Sequence, residues 1–471
     1  MSSAPEPYAL LPLTVFDRVF ERTTFVTGWL VEGTVDAAAI DTALREVTDK
    51  WRMLAGRVQS IRENNETKWF IRVPLGPLPS DYPTFALTET TSTVPLSTYV
   101  TTPIPQVSNS LPPELFVHPS TPRQYTAWER TSHPLTCWHL TYFPASLNAD
   151  GKAYTAIGFA RSHGVFDGLG AAMVTKALVA ELKGEEWAIP KLPAEGLNAN
   201  PLVQRLEEEV KNTSELLEYK GYSILGLGGF LKLIAWQLRE RFWRGADRRI
   251  VLVPKSAFDA LIGAVKTALQ ERNQDPTSVS SGDVLVAWIY KTVYSLESSE
   301  SLRVHCSNVA AIRSYLTNND PDILAYPHNA FIPIPYPTLT AAELRSLPLP
   351  DLTSQLADHR RSLSKGHVLS AYQMLKTPTI LFPNHPEADD DLMISNVSAS
   401  RILQTDWTLA GSKKTVCGYR YQLTPTKVVF TNAVYIAGRL DDGTVVLDVS
   451  LNKAKFDVFV REVERLCAEG S

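Results

Sequence analysis

Ser162-His163-Gly164-Val165-Phe166-Asp167-Gly168-Leu169-Gly170 joins two segments of different period. Before it, residues 154–162 (YTAIGFARS) are apolar on both faces, the pattern of a strand buried in the centre of a sheet. After it, residues 169–182 read as a helix. Gly164 and Gly168 permit a tight turn and close approach. Loops at strand ends beside a rigid sheet are where functional side chains are usually displayed. A general base must stand in a dry cleft within hydrogen-bond reach of its proton, and His163 is placed for that role.

The spacing can be tested against chance. With aspartate at ~6% of average sequence, the nine histidines of this chain would give about 0.5 HxxxD matches. The chain has two. Requiring glycine after the aspartate, at ~7% usage, lowers the chance figure to about 0.04, and only His163–Gly168 passes. The other match, His385 to Asp389, lies in a polar, proline-flanked stretch and reads as a solvated loop. His133, Cys137 and His139 lack a metal-site spacing and read as core or edge packing. No GxGxxG, GxxxxGK[ST] or GxSxG motif is present.

Composition narrows the class. The chain has 471 residues, 44% of them hydrophobic and 20% charged, enough for two large domains of an ordinary globular protein. Lys+Arg 46 against Asp+Glu 50 gives −4, so no general basic field exists to hold nucleic acid or an anionic membrane. The four cysteines lie far apart and form no CxxC pair, as in a reducing compartment. The start has no basic segment followed by an apolar one, and the end is no retention or peroxisomal tail. A cytoplasmic location is expected.

Elements of both periods alternate, which predicts a mixed α/β architecture. Residues 35–51 read as a helix capped by Thr34 or Asp36. Residues 102–122 hold six prolines and read as a surface excursion. Strand 249–254, helices 258–270 and 284–294, a hairpin of 427–437 with 444–451, and a final amphipathic helix follow. The expected division is 1–190, a crossover 191–248, and 249–471. The apolar run 222–238 (YSILGLGGFLKLIAWQL) falls short of the roughly 20 residues of a spanning helix. It reads as a packed helix or a loop under the domain interface. A helix lying on a membrane surface, helped by the arginines that follow, is the alternative.

His163-Gly-Val-Phe-Asp167-Gly168 resembles the HxxxDG signature of the BAHD-type acyltransferases. Further segments are similar in order. Leu11-Pro-Leu-Thr-Val-Phe-Asp17 resembles "LSxLD", and Met53-Leu-Ala-Gly-Arg57 resembles "PLAGR". Ser281-Gly-Asp-Val-Leu-Val-Ala-Trp288 resembles "TxxDxLxAxxW". Asn308-Val-Ala-Ala-Ile-Arg313 with Tyr326-Pro-His-Asn329 resembles "VNxR…YxGN". The texture is most like the fungal branch that includes trichothecene acetyltransferases. Two positions depart. Asp406-Trp407-Thr408-Leu409-Ala410-Gly411 stands where the family has DFGWG, and His328 replaces the glycine of "GN".

The resemblance implies two chloramphenicol-acetyltransferase-like domains with a channel between them. It implies a monomer and no resident cofactor or metal. Acyl-CoA would be the co-substrate, acetyl the expected acyl group, and a small hydroxylated natural product the acceptor. His163 would be the base. Asp167 would point away from substrate into a bidentate pair with Arg313, with Gly168 supporting the turn. Ser395, Asn396, Ser398 and Trp407 are candidates for oxyanion or CoA contacts, and Phe16 and Tyr372 for acceptor contacts. The broken DFGWG turn leaves open the same fold used for cyclisation or another non-acyl-transfer step, and a binding protein with a relic cleft.

Overall fold

The structure is a computed structural model describing residues 7–469 except 215, 318–319 and 427–429. The strand Tyr154–Ser162 is in place, and all nine of its residues are buried. It lies in the middle of a five-stranded sheet, in the order Lys414–Leu423, Thr24–Glu32, Tyr154–Ser162, Thr136–Phe143, Ala86–Thr91. Only the last pair is parallel. The helix Gly168–Lys183 follows and packs on Ala37–Lys50. Of the two caps considered for the latter, Asp36 accepts from the amides of Ala38 and Ala39.

Gly28 and Gly158 are directly opposite in this sheet. Phe116 lies over both, so a Cβ at position 158 would stand 1.7 Å from the Phe116 carbonyl oxygen. Residues 102–122 are therefore not a surface excursion. Proline keeps them largely irregular, but Leu111, Leu115, Phe116 and Val117 enter the core. Gly158→Ala is expected to cost at least about 3 kcal/mol, the upper end of overpacking, because the obstacle is backbone. Gly28→Ala, whose Cβ would meet only the Phe116 ring at 2.7 Å, should cost less. Urea midpoints of the two variants check this order, and equal midpoints would refute it.

A second sheet of seven strands runs in the order Leu339–Thr340, Arg303–Ser307, Asp390–Asn396, Ala433–Arg439, Val445–Leu451, Asp247–Val253, Val107–Asn109. The helices Lys255–Glu271, Ser281–Val293, Leu349–Ser362 and Lys453–Glu469 pack with one another around its core. Ser280 caps Ser281–Val293 in a reciprocal box with Asp283. The late hairpin forms between Ala433–Arg439 and Val445–Leu451. Its expected start, Lys427, lies outside the described residues. The two sheets exchange strands: Lys414–Leu423 joins the first, and Val107–Asn109 joins the second. The run 222–238 is not the packed element expected, because its helix Leu227–Leu238 has no buried residue.

Candidate active site

The end of Tyr154–Ser162 is held on several sides. The His163 amide donates to the Thr23 carbonyl at 2.9 Å. The imidazole stacks on Phe20 with centroids 3.9 Å apart and meets Phe25 edge-on at 4.9 Å. Its Nδ1 is 3.3 Å from the Phe166 carbonyl oxygen. A carbonyl can only accept, so the proton of the neutral ring sits on Nδ1 and the lone pair on Nε2. Nε2 makes no hydrogen bond to the described residues, and it is not among the sealed unpartnered polar atoms. It is the atom left free to receive a proton.

Asp167 faces away from this atom. Its Oδ1 accepts from the amides of Leu169 and Gly170 at 3.0 and 2.9 Å, which caps the following helix. Its Oδ2 accepts from Arg313 Nη2 at 2.8 Å. The pair is buried at both ends. It is not the bidentate contact expected, because Arg313 spends its other donors on carbonyls. Nε donates to Tyr326 at 2.8 Å, and Nη2 also donates to His328 at 2.7 Å. One guanidinium thus ties the 326–330 segment to the turn.

A second tie was missed in the sequence. Asp17 is fully buried, and burial pushes its carboxyl above the usual range. Its oxygens nevertheless meet four donors, from the backbone and side chains of Thr14 and Asn329, at 2.7 to 3.0 Å. These four donors favour the charged form and so oppose the effect of burial. Asn329 Nδ2 also donates to the His163 carbonyl at 2.7 Å. His328, the departure from glycine, donates from Nδ1 to the Val165 carbonyl at 2.8 Å. The signal lay in the two quoted motifs, but distance along the chain hid their meeting. At Gly164 the close approach is what requires glycine. Its φ is not positive; a Cβ there would lie 2.1 Å from the Tyr125 hydroxyl, which donates to the Gly164 carbonyl.

Two guanidiniums share the Phe25 ring with His163. Arg161 lies 5.7 Å from its centroid and Arg420 lies 4.3 Å. Neither forms an ion pair among the described residues. Arg161 donates to Thr27 Oγ1 at 3.1 Å, while its Nε is sealed without a partner. Both line a cavity of about 10 Å³ with Gly168 and Val397, room for one water-sized group. Burial, then Arg420 and Arg161, push the His163 imidazole down to about 3. The nearby positive charges disfavour the imidazolium. Removing one in Arg420→Gln should therefore raise the His163 value toward the ordinary 6.5. Histidine NMR titration checks this: the wild-type ring stays neutral at pH 5, and a ring titrating near 6.5 in both proteins refutes it.

The remaining candidates scatter. Ser395 Oγ accepts from Arg420 Nη1 at 3.2 Å, which places it beside the two cations. Ser398 Oγ donates to Asn396 Oδ1 at 2.6 Å, a local contact. Trp407 is 1% exposed and packs edge-on against Trp29 at 5.2 Å. The turn that replaces DFGWG is rebuilt, with Asp406 accepting from the Thr408 amide and Gly411 left-handed at φ 95°. Tyr372 lines a cavity of about 510 Å³ with Thr14, Val15 and Asn200. Phe16 is buried beneath, its ring 6.0 Å from that of Tyr372. His163 lines neither cavity and is 8% exposed. His385 is not a solvated residue; it is buried with its ring 5.9 Å from His305. Cys137 and His139 are buried in the strand Thr136–Phe143.

No family model matches the chain. Among curated proteins it is similar to the O-acyltransferase pboC of Aspergillus ustus, 28% identical over 220 residues. That match covers 46% of this chain and 43% of the relative, so the chain spans less than half the length of that protein. Among solved structures, TRI101 of F. sporotrichioides, complexed with coenzyme A and T-2, superposes with a TM-score of 0.60 at 13% identity. The match covers 95% of this chain and 96% of that one. Vinorine synthase superposes with a TM-score of 0.53 at 14% identity, covering 99% and 94%. The expected resemblance to acyltransferases and the expected α/β fold are borne out.

Proposed function

We propose that the protein is an O-acyltransferase that moves an acyl group from acyl-CoA to a hydroxyl of a small natural product, with His163 as the base. The observation that carries this reading is the Nε2 lone pair, set by the Nδ1 contact to Phe166 and left without a protein partner. In the proposed step, Nε2 takes the acceptor hydroxyl proton as that oxygen bonds to the thioester carbon. The carbonyl π pair moves onto oxygen. Collapse re-forms the carbonyl, breaks the C–S bond and expels the thiolate, which regains the proton from the imidazolium. No acyl-enzyme forms.

The transient oxyanion needs positive potential fixed in advance. Arg161 and Arg420 supply it in this proposal, since both guanidiniums lie against the Phe25 ring that also meets His163. Arg420 and its partner Ser395 replace Trp407 as the group to test. Acetyl as the acyl group and a cytoplasmic, monomeric protein remain part of the proposal.

The test follows free thiol on mixing the protein with acetyl-CoA, longer acyl-CoAs and a panel of hydroxylated metabolites. Acceptor-dependent thiol release with matching ester formation is expected. Turnover of a metabolite without thiol release would overturn acyl transfer in favour of cyclisation, and no reaction with any pair would leave a binding protein.

A further inference from the structure

The helix Leu227–Leu238 is apolar on its outward side as well as its inward one. Leu233, Trp236 and Gln237 are half-buried toward the protein, where Gln237 Oε1 accepts from the Thr431 amide at 3.0 Å and hydroxyl at 2.9 Å. Just beyond it, Glu240 is buried at 1% exposure and accepts from Asn452 Nδ2 at 2.6 Å. On the outward side, Leu227, Leu231, Ile234 and Leu238 recur at helical spacing and are 78, 57, 40 and 47% exposed. Phe242 and Trp243, in the turn Arg239–Trp243 that follows, are 72 and 83% exposed. A soluble face does not leave such a contiguous stripe uncovered.

Charge indicates what covers it. Residues 227–249 carry Lys232 and five arginines against Glu240 and Asp247, in a chain of net charge −4. Glu240 pairs with Arg239 and Arg244, Asp247 with Arg249, and Asp448 with Arg248, which leaves Lys232 and Arg241 as the cations of this stretch in no ion pair among the described residues, so its outward field is positive. Twelve residues at 1.5 Å make a helix of about 18 Å, and no helix among the described residues is long and apolar enough to cross a membrane. A short apolar stripe with an aromatic end and flanking cations matches a helix lying in the plane of a bilayer.

We infer that Leu227–Trp243 docks the protein on an anionic lipid surface, with Leu231, Ile234 and Trp243 entering the acyl boundary and Arg241 on the headgroups. The inference does not depend on the acyl-transfer reading.

Co-sedimentation of the full chain with phosphatidylserine/phosphatidylcholine vesicles tests it. Wild type should pellet with mixed vesicles, less so in high salt and with pure phosphatidylcholine. Leu231→Asp with Ile234→Asp should lower partitioning at least tenfold, with an unchanged circular dichroism spectrum because both side chains are outward. Arg241→Glu should weaken binding to the mixed vesicles alone. Wild type remaining in the supernatant, or the double variant binding as well as wild type, overturns the inference. So does self-association in sedimentation velocity that the double variant abolishes, without vesicle binding, since a second copy would then cover the stripe.

Discussion

His163→Ala is expected to lower acceptor-dependent thiol release by roughly 100- to 10,000-fold in kcat, the range that general-base catalysis contributes. The loss should be chemical. The His163 backbone keeps its bonds to Thr23 and Asn329, neither of which uses the ring. What the variant loses in packing is one ring between Phe20 and Phe25. The acceptor binding constant should change little if the ring acts mainly in the transition state, so kcat falls and KM holds. His163→Gln separates base from filler: it fills the space without a basic nitrogen and should be as inactive as alanine. Thiol release within a few-fold of wild type in either folded variant would remove His163 from the mechanism.

The turn could be read from one sequence because its information is local. A two-faced apolar strand, the HxxxDG run and a helix with an aspartate cap follow one another within thirty residues, and the structure reproduces each. What failed was non-local. Phe116 enters the core because Gly28 and Gly158, 130 residues apart, together leave room for it. No periodicity in residues 102–122 could show that. Trp407 occupied a motif position, but its neighbours Trp29 and Trp138 come from distant strands and fix it as core. Arg161 lies two residues before the base, yet its burial beside Arg420 depends on strand pairing across the sheet. The helix Leu227–Leu238 shows the limit of composition, since apolar content alone cannot say which side faces the protein.

The largest stability effect is expected at the buried pair. Asp167→Asn should destabilise the fold by about 3–5 kcal/mol, the cost of breaking a buried ion pair by removing one partner. The amide oxygen could still cap Leu169 and Gly170, which both bond to Oδ1. The other arm would then present an NH₂ to Arg313 Nη2 and the Ala330 amide, both of them donors. The guanidinium would keep its carbonyl partners but lose its only carboxylate among the described residues, in a site with 4% side-chain exposure. Arg313→Lys should fail similarly, because one ammonium cannot reach the Tyr326 and His328 carbonyls and Asp167 together. The double variant Asp167→Asn with Arg313→Met should cost less than the sum of the singles, since it leaves neither charge stranded. Urea unfolding of wild type, Asp167→Asn, Arg313→Met and the double variant checks the cycle. An Asp167→Asn midpoint equal to wild type, or strictly additive costs, would mean that the pair does not hold the turn. If the cycle closes as expected, residual acyl transfer in the folded fraction of Asp167→Asn should fall in kcat more than its folded population does. That would place Asp167 as a positioning residue acting through the carbonyl of Phe166, which sets the tautomer of the base.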